Sequence, residues 1–270
     1  PMSRRSLLLT TACISFAAPA FAQEVNIYTT RQPELIQPVM EAFTAQTGIA
    51  VNLAFVSDGL VERLKAEGKR SPADLVMTVD TANLQQIVDA DVMHNYNLAL
   101  MSAVIAHDGE AGAKVWAEGV RANLARKPEG NDRAQVKAIW AGQCDISLGN
   151  TYYMGEMLSD PEQTAWAEAV RIIFPTFENG GTHVNVSGVA MTKAAPNREE
   201  ALQLMEFLVS PIAQGIYAEL NTEYPVLEGA PISDLVASWG SFTADDVDLE
   251  DLAKNRPAAL RIMEEVNFDG

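Results

Sequence analysis

Short runs rich in β-branched and aromatic residues alternate along this chain with longer stretches whose apolar positions recur every three or four residues, and the alternation predicts an α/β protein. The run over 25–29 predicts a buried strand. A helix over 33–46 follows, with Leu35, Ile36, Val39, Met40 and Phe43 on one face and Gly48 as its stop. A second strand over 51–56 leads to a helix for which Ser57 offers a cap and Gly68, after Glu67, a stop. A third strand over 73–79 and a third helix over 81–89 complete this half. Strands and helices alternating this closely imply right-handed crossovers and a parallel sheet. Ligands of such sheets sit beyond the carboxyl ends of the strands, here around 29–32, Ser57-Asp58 and 78–81.

The second half continues in the same style without an internal repeat. Helices are predicted over 98–106, 111–124 and 134–141, then a buried strand over 144–148. Gly149-Asn150 breaks that strand before a helix over 152–158. A strand over 184–191 follows the loop Asn179-Gly180-Gly181, a helix over 198–209 has Asn197 as its cap, and a helix over 249–265 closes the chain.

Tyr152 and Tyr153, adjacent just after the Gly-Asn turn, are two of only six tyrosines. Neighbouring side chains of a strand point to opposite faces, so adjacent phenols address one point only where the backbone leaves a strand and turns. A phenolate is a hard oxygen donor of the kind that a trivalent cation such as ferric iron prefers. The pair therefore reads either as an Fe(III) site or as two half-buried aromatics packing a lobe.

Arg4-Arg5, the apolar run that follows and Ala20-Phe21-Ala22 have the form of a secretory signal over 1–22, by the general or the twin-arginine route. No other apolar run is long enough to cross a membrane, and Cys144 is the one cysteine beyond the signal, which excludes a cysteine-rich zinc site. A formal net charge of −17 disfavours nucleic acid and anionic membranes as partners. Three histidines, no Gly-x-Ser-x-Gly elbow and no His-Glu-x-x-His motif argue against a hydrolase, and no enzymatic activity is expected.

The stretches Val25 to Pro33, Ser71-Pro72-Ala73-Asp74-Leu75, Asn123 to Pro128, Asn131 to Ala138, Gly149 to Tyr153, Ser187-Gly188 and Glu223-Tyr224-Pro225 resemble the periplasmic ferric-iron-binding proteins of ABC transporters. The resemblance covers nearly all of the chain after the signal, and Asn150-x-Tyr152-Tyr153 is its most specific part. It implies a two-lobed type 2 periplasmic binding protein, with lobe 1 from 23–93 and about 183–233, lobe 2 from 94–182 and about 234–270, and a hinge between them. It implies that Tyr152 and Tyr153 ligate iron, joined by Tyr96 of His94-Asn95-Tyr96-Asn97. Gln32 and Val79 stand where another subgroup uses a histidine and a glutamate, so an all-tyrosine set completed by carbonate or a similar synergistic anion is expected. Arg31, Gln32, His94, Asn97 and Asn150 are the expected anion-binding or supporting residues, with an Arg31–Glu34 surface ion pair as the alternative for Arg31. The partner implied is an inner-membrane permease, and the protein is expected to be a periplasmic monomer.

The chain departs from the family between Met93 and His94, where members carry a further segment with an inter-lobe strand and an Arg-x-Arg run. The expected fold is thus partly deleted at the first inter-lobe crossover. A binding protein of the same fold for a polyamine or an oxyanion, or a binding-impaired deletion variant, are the alternatives.

Overall fold

A computed structural model describes residues 23–57, 59–79, 97–127 and 129–268, Asn97 by its backbone alone. The predicted signal, the helix over 81–89, His94 and Tyr96 lie outside the described residues.

Four strands form one sheet in the order β2-β1-β3-β4. The central strand β1 (Glu24–Thr29) pairs in parallel with β2 (Ala50–Phe55), Ile27 opposite Leu53, and with β3 (Leu75–Thr78), Ile27 opposite Leu75. The late strand β4 (Gly188–Met191) runs antiparallel to β3, Leu75 opposite Met191. The sheet is therefore mixed, because a chain segment from more than a hundred residues away closes its edge, which no local periodicity announces. The strand predicted over 184–191 is reduced to these four residues.

Helix α1 (Pro33–Thr47) covers one face of the sheet as its stripe requires. Ile36, Val39, Met40 and Phe43 are buried against Val25, Ile27, Leu75 and Met77, and Gly48 ends the helix in the left-handed region at φ 75°. Helix α2 (Leu60–Glu67) starts after Gly59, at φ 71°, and not from a Ser57 cap. Its Glu67 accepts hydrogen bonds from the Tyr28 hydroxyl (2.8 Å) and the Ser71 hydroxyl (2.7 Å).

The two helices predicted over 98–106 and 111–124 follow directly on one another as α3 (Asn97–Ala122), broken only at Gly109, where φ 69° and ψ 172° leave the helical region. Short helices α4 (Asp132–Trp140), α5 (Tyr152–Ser159) and α6 (Thr164–Glu168) pack into a small core around Met154, Met157 and Ala167. Helices α7 (Arg198–Leu208) and α8 (Pro211–Leu220) return to the sheet, where Leu204, Phe207 and Ala213 join the core of β1 and α1. Helix α9 (Asp234–Ser238) precedes α10 (Leu249–Glu265), whose Ala259 and Ile262 pack along α3. Cores thus form separately around the sheet and around α3 to α6 with α10.

The buried strand predicted over 144–148 is not formed. That stretch is irregular, with Ile146 77% and Leu148 52% exposed, because no neighbouring strand among the described residues offers it a ladder. Asn197 does stand before α7, but its side chain makes no cap bond. Its N–H and side-chain amide instead donate to the fully buried Asp74 carboxylate (2.6 and 3.1 Å), which also accepts from the Asn26 N–H (2.8 Å).

Candidate functional site

Helix α5 begins on the tyrosine pair, and the residues before it are held from a distance. Asn131 caps α4 by accepting from the Ala134 N–H (3.1 Å). The next residue, Asp132, turns outward and accepts from the Asn150 N–H (2.9 Å) and at the limit of contact from the Asn150 side-chain amide (3.5 Å). A Cβ on Gly149 would sit 3.2 Å from the same carboxylate oxygen, so the Gly-Asn turn is read closely by Asp132. Arg133 completes the Asn-Asp-Arg triplet with an ion pair to Glu156 on α5 (3.7 Å). Burial raises the Glu156 pKa above the ordinary carboxylate range, offset in part by Arg133 and then by Arg31.

Leaving the turn, Tyr152 and Tyr153 are half-buried with ring centroids 4.4 Å apart and planes tilted by 43°. Adjacent side chains on a helix diverge by about 100°, yet these two rings meet at the first two positions of α5, after Thr151, whose φ −62° and ψ −36° are already helical. The other three described tyrosines make other contacts. Tyr28 donates to Glu67 under the Arg63 guanidinium, 4.1 Å from the ring centroid, and burial followed by the Glu67 hydrogen bond raises its pKa. Tyr224 donates to the Val236 and Gly240 carbonyls (3.4 and 3.3 Å) inside a cluster with Phe174 and Phe242. Tyr217 packs its ring 5.8 Å from the Arg31 guanidinium carbon, and burial raises its pKa. High pKa values disfavour phenolate at all three, although a metal could still compete for a phenol it reaches.

At the carboxyl end of β1, where the sheet topology places a ligand, Arg31 is buried and its N–H donates to the Thr29 hydroxyl (2.9 Å). Its guanidinium does not pair with Glu34. It donates to the Ser187 hydroxyl (2.8 Å) and forms an ion pair with Glu223. Ser187 in turn donates to the Val79 carbonyl (3.3 Å), which brings the end of β3 to the same point. Gln32 is exposed and stands at the N-cap of α1 without a side-chain cap. Asn97 opens α3.

Between Arg31 and the tyrosine helix runs a strap, 221–223, that sequence reasoning missed. The Asn221 amide donates to the Leu35 carbonyl (2.6 Å) at the start of α1. Thr222, at φ 54°, shares its hydroxyl between the carbonyls of Asn221 (2.6 Å) and Tyr152 (3.2 Å), and Glu223 follows onto Arg31. Such left-handed threonine is costly and persists only where neighbours enforce it. Glu223-Tyr224-Pro225 gave the only signal for this strap. Asp132, Glu156 and Ser187 were likewise unassigned, though Asp132 and Ser187 lie in stretches that carry the family resemblance. Among the described residues no cluster of three or more His, Cys, Asp or Glu side chains could hold a metal ion.

The family model of bacterial extracellular solute-binding proteins matches residues 106–215. Iron uptake protein A1 of Synechocystis is 37% identical, over 93% of this chain and 89% of that protein. Among solved structures, ferric iron-binding protein A of Mannheimia haemolytica in an open conformation is 40% identical with a TM-score of 0.85, covering 92% of this chain and all of that one. A Trichodesmium protein solved with iron and citrate ligands is 33% identical with a TM-score of 0.83, covering 91% and 99%. Sheet, separate cores and intervening strap are those of a two-lobed type 2 extracellular solute-binding protein, which is not an enzyme. Within that class the chain belongs to the periplasmic ferric-iron-binding proteins.

Proposed function

We propose that the protein captures Fe(III) outside the cytoplasm and delivers it to an ABC permease. The observation that carries this reading is the tyrosine pair, 4.4 Å between ring centroids at the start of α5, in a chain whose other described tyrosines all have raised pKa values. Two phenolates supply hard anionic oxygen, Tyr96 supplies the third, and three negative charges balance Fe(III). A synergistic anion such as carbonate then completes the coordination, held at Arg31 by charge-assisted hydrogen bonds. Asn150 supports the turn that carries the phenols, its N–H donating to Asp132. Lobe 1 comprises the sheet with α1, α2, α7 and α8, lobe 2 the helices α3 to α6, α9 and α10, and closure brings Arg31 and the phenols onto one ion. We further infer export, a monomeric state and docking on an inner-membrane permease, a reading that membership of the family supports.

The reading also includes a crossover shortened between Met93 and His94. The match to the Synechocystis protein runs over 319 residues while covering 93% of a 270-residue chain, so the alignment opens gaps in this chain, and the crossover is where we propose that they fall. The binding test therefore asks whether the shortened chain still closes on iron.

The test is a visible-absorption titration of iron-stripped protein with ferric citrate in bicarbonate. Phenolate bound to Fe(III) gives a charge-transfer band that saturates at one iron per chain. Tyr152→Phe keeps the ring and removes the oxygen, and is expected to weaken or abolish the band with an unchanged melting temperature. A Tyr152→Phe protein that binds iron with the parent's band would remove Tyr152 from the site, and a folded parent without any band would refute the reading.

A further inference from the structure

Glu223 occupies the anion-binding face of Arg31 in this structure, and we propose that it is the internal anion of the site, which carbonate must displace before iron is held. The inference rests on the iron reading above and adds a residue that sets the anion requirement. Four observations carry it. The Arg31 guanidinium is buried, with its side chain 7% exposed, and one of its terminal nitrogens donates to a Glu223 carboxylate oxygen while the other donates to the neutral Ser187 hydroxyl (2.8 Å). The Glu223 side chain is 21% exposed, so the carboxylate has a path into water that the guanidinium lacks. The strap that bears it is anchored without it, through Asn221 to the Leu35 carbonyl, Thr222 to the Tyr152 carbonyl and the Glu223 N–H to the Tyr217 carbonyl (3.5 Å). Finally, the Thr222 contact places this strap directly against the helix start that carries the tyrosine pair.

A carboxylate presents to a guanidinium the same pair of oxygens as carbonate, so the two compete for one set of donors. With Glu223 in place Arg31 is neutralised and the site rejects anions of lower charge or poorer fit. Carbonate bridging Arg31 and iron gains from both cations, which Glu223, tethered to the strap, does not. Departure of the carboxylate into solvent leaves the backbone anchors of the strap intact, so the exchange needs no refolding of the site.

The experiment measures the bicarbonate concentration that gives half of the charge-transfer band at fixed ferric citrate, for the parent, Glu223→Gln and Glu223→Ala. Removing the competing charge is expected to lower that concentration by about tenfold in both variants, the scale of one lost charge-assisted contact. Variants with the parent's bicarbonate requirement would overturn the inference while leaving the iron reading standing. So would a folded variant without the band, since Glu223 would then be needed and not displaced. A Glu223→Gln chain that no longer melts cooperatively would overturn it too, because the ion pair would then be part of what holds the fold. A parent with no band at any bicarbonate concentration would overturn the iron reading and this inference with it.

Discussion

Replacing Gly155 by alanine tests whether the strap really lies against the tyrosine helix, because local and tertiary effects act there with opposite sign. Gly155 is inside α5, where alanine would ordinarily stabilise by about 0.8–1 kcal/mol. A Cβ at this position, however, would stand 2.2 Å from the Thr222 hydroxyl oxygen, 2.5 Å from its methyl carbon and 2.8 Å from its Cβ. Thr222 cannot turn aside cheaply, since its hydroxyl is engaged by two carbonyls and its backbone is already left-handed at φ 54°. Overpacking of this kind costs about 1–3 kcal/mol, and contacts to a Cβ as well as to the rotor argue for the upper end. The net expectation is a destabilisation of about 2 kcal/mol, or a melting temperature lower by about 4–8 °C. Gly119 in α3 is the control, with nothing within 4 Å of an added Cβ. Gly119→Ala should raise the melting temperature by about 2–4 °C. Adding Thr222→Gly to Gly155→Ala removes all three clashing atoms at a φ that glycine prefers, so the double variant should recover most of the loss. Circular dichroism melts of the four proteins decide the matter. A Gly155→Ala protein stabilised like Gly119→Ala would show that Thr222 does not occupy this place, and the coupling of strap to tyrosine pair would fall with it.

Three further expectations concern other contacts of the fold. Asp132→Ala releases the Asn150 N–H from its carboxylate and should weaken iron binding about five- to thirtyfold, the equivalent of about 1–2 kcal/mol, in the absorption titration. An unchanged affinity would mean that the turn holds itself. Asp74→Ala leaves the N–H groups of Asn26 and Asn197 without their buried acceptor and should cost about 2–5 kcal/mol in a denaturant titration, with Asp74→Asn costing less. His183 is held below the ordinary imidazole range by burial, offset partly by the Asp245 charge. Its unfolded form therefore binds the proton first, so stability is complete above about pH 6.5 and declines as the pH falls below it. Asp245 works in a lower window. Burial raises its pKa, but hydrogen bonds from His107 and the Gly181 N–H outweigh this and depress it, so its contribution is lost only below the ordinary carboxylate range. Melts between about pH 7 and 5 should show a slope that His183→Gln flattens, and an unaltered slope would assign it to other groups.

The parts of the fold that the chain announced are those with local causes. The stripe of α1 predicted Leu35, Ile36, Val39, Met40 and Phe43 on one face, and all are buried but Leu35, which is half-buried; α10 spans the predicted 249–265. The Gly-Asn turn placed the start of α5 to the residue. What failed has remote causes. Strand β4 takes its direction from β3, more than a hundred residues earlier, and the apolar run over 144–148 has a strand's composition without a described neighbour to pair with. Ser57 suits a cap, but Gly59 at positive φ redirects the chain and starts α2 after it.

The site divides along the same line. Tyr152 and Tyr153 stood out as candidates because two phenols behind a turn are a chemical statement in themselves, whereas the contacts around them act at a distance: Asp132 on Asn150 across 18 residues, Thr222 on Tyr152 across 70 and Glu223 on Arg31 across 192. Arg31 shows what such distance costs a sequence reading. A glutamate three residues away is the nearest partner along the chain, yet on an exposed helix start that pair would be worth about 0–1 kcal/mol. Burying the guanidinium at the end of β1 makes an unpaired charge far more expensive than that, so the fold had to deliver a carboxylate to it, and the strap does. A buried cation whose partner is carried on a solvent-reachable, separately anchored strap differs from a structural ion pair in one respect: the partner can leave. The one-fifth exposure of Glu223 beside the tyrosine helix is the feature on which the proposed exchange depends, and the bicarbonate titration of the Glu223 variants tests it.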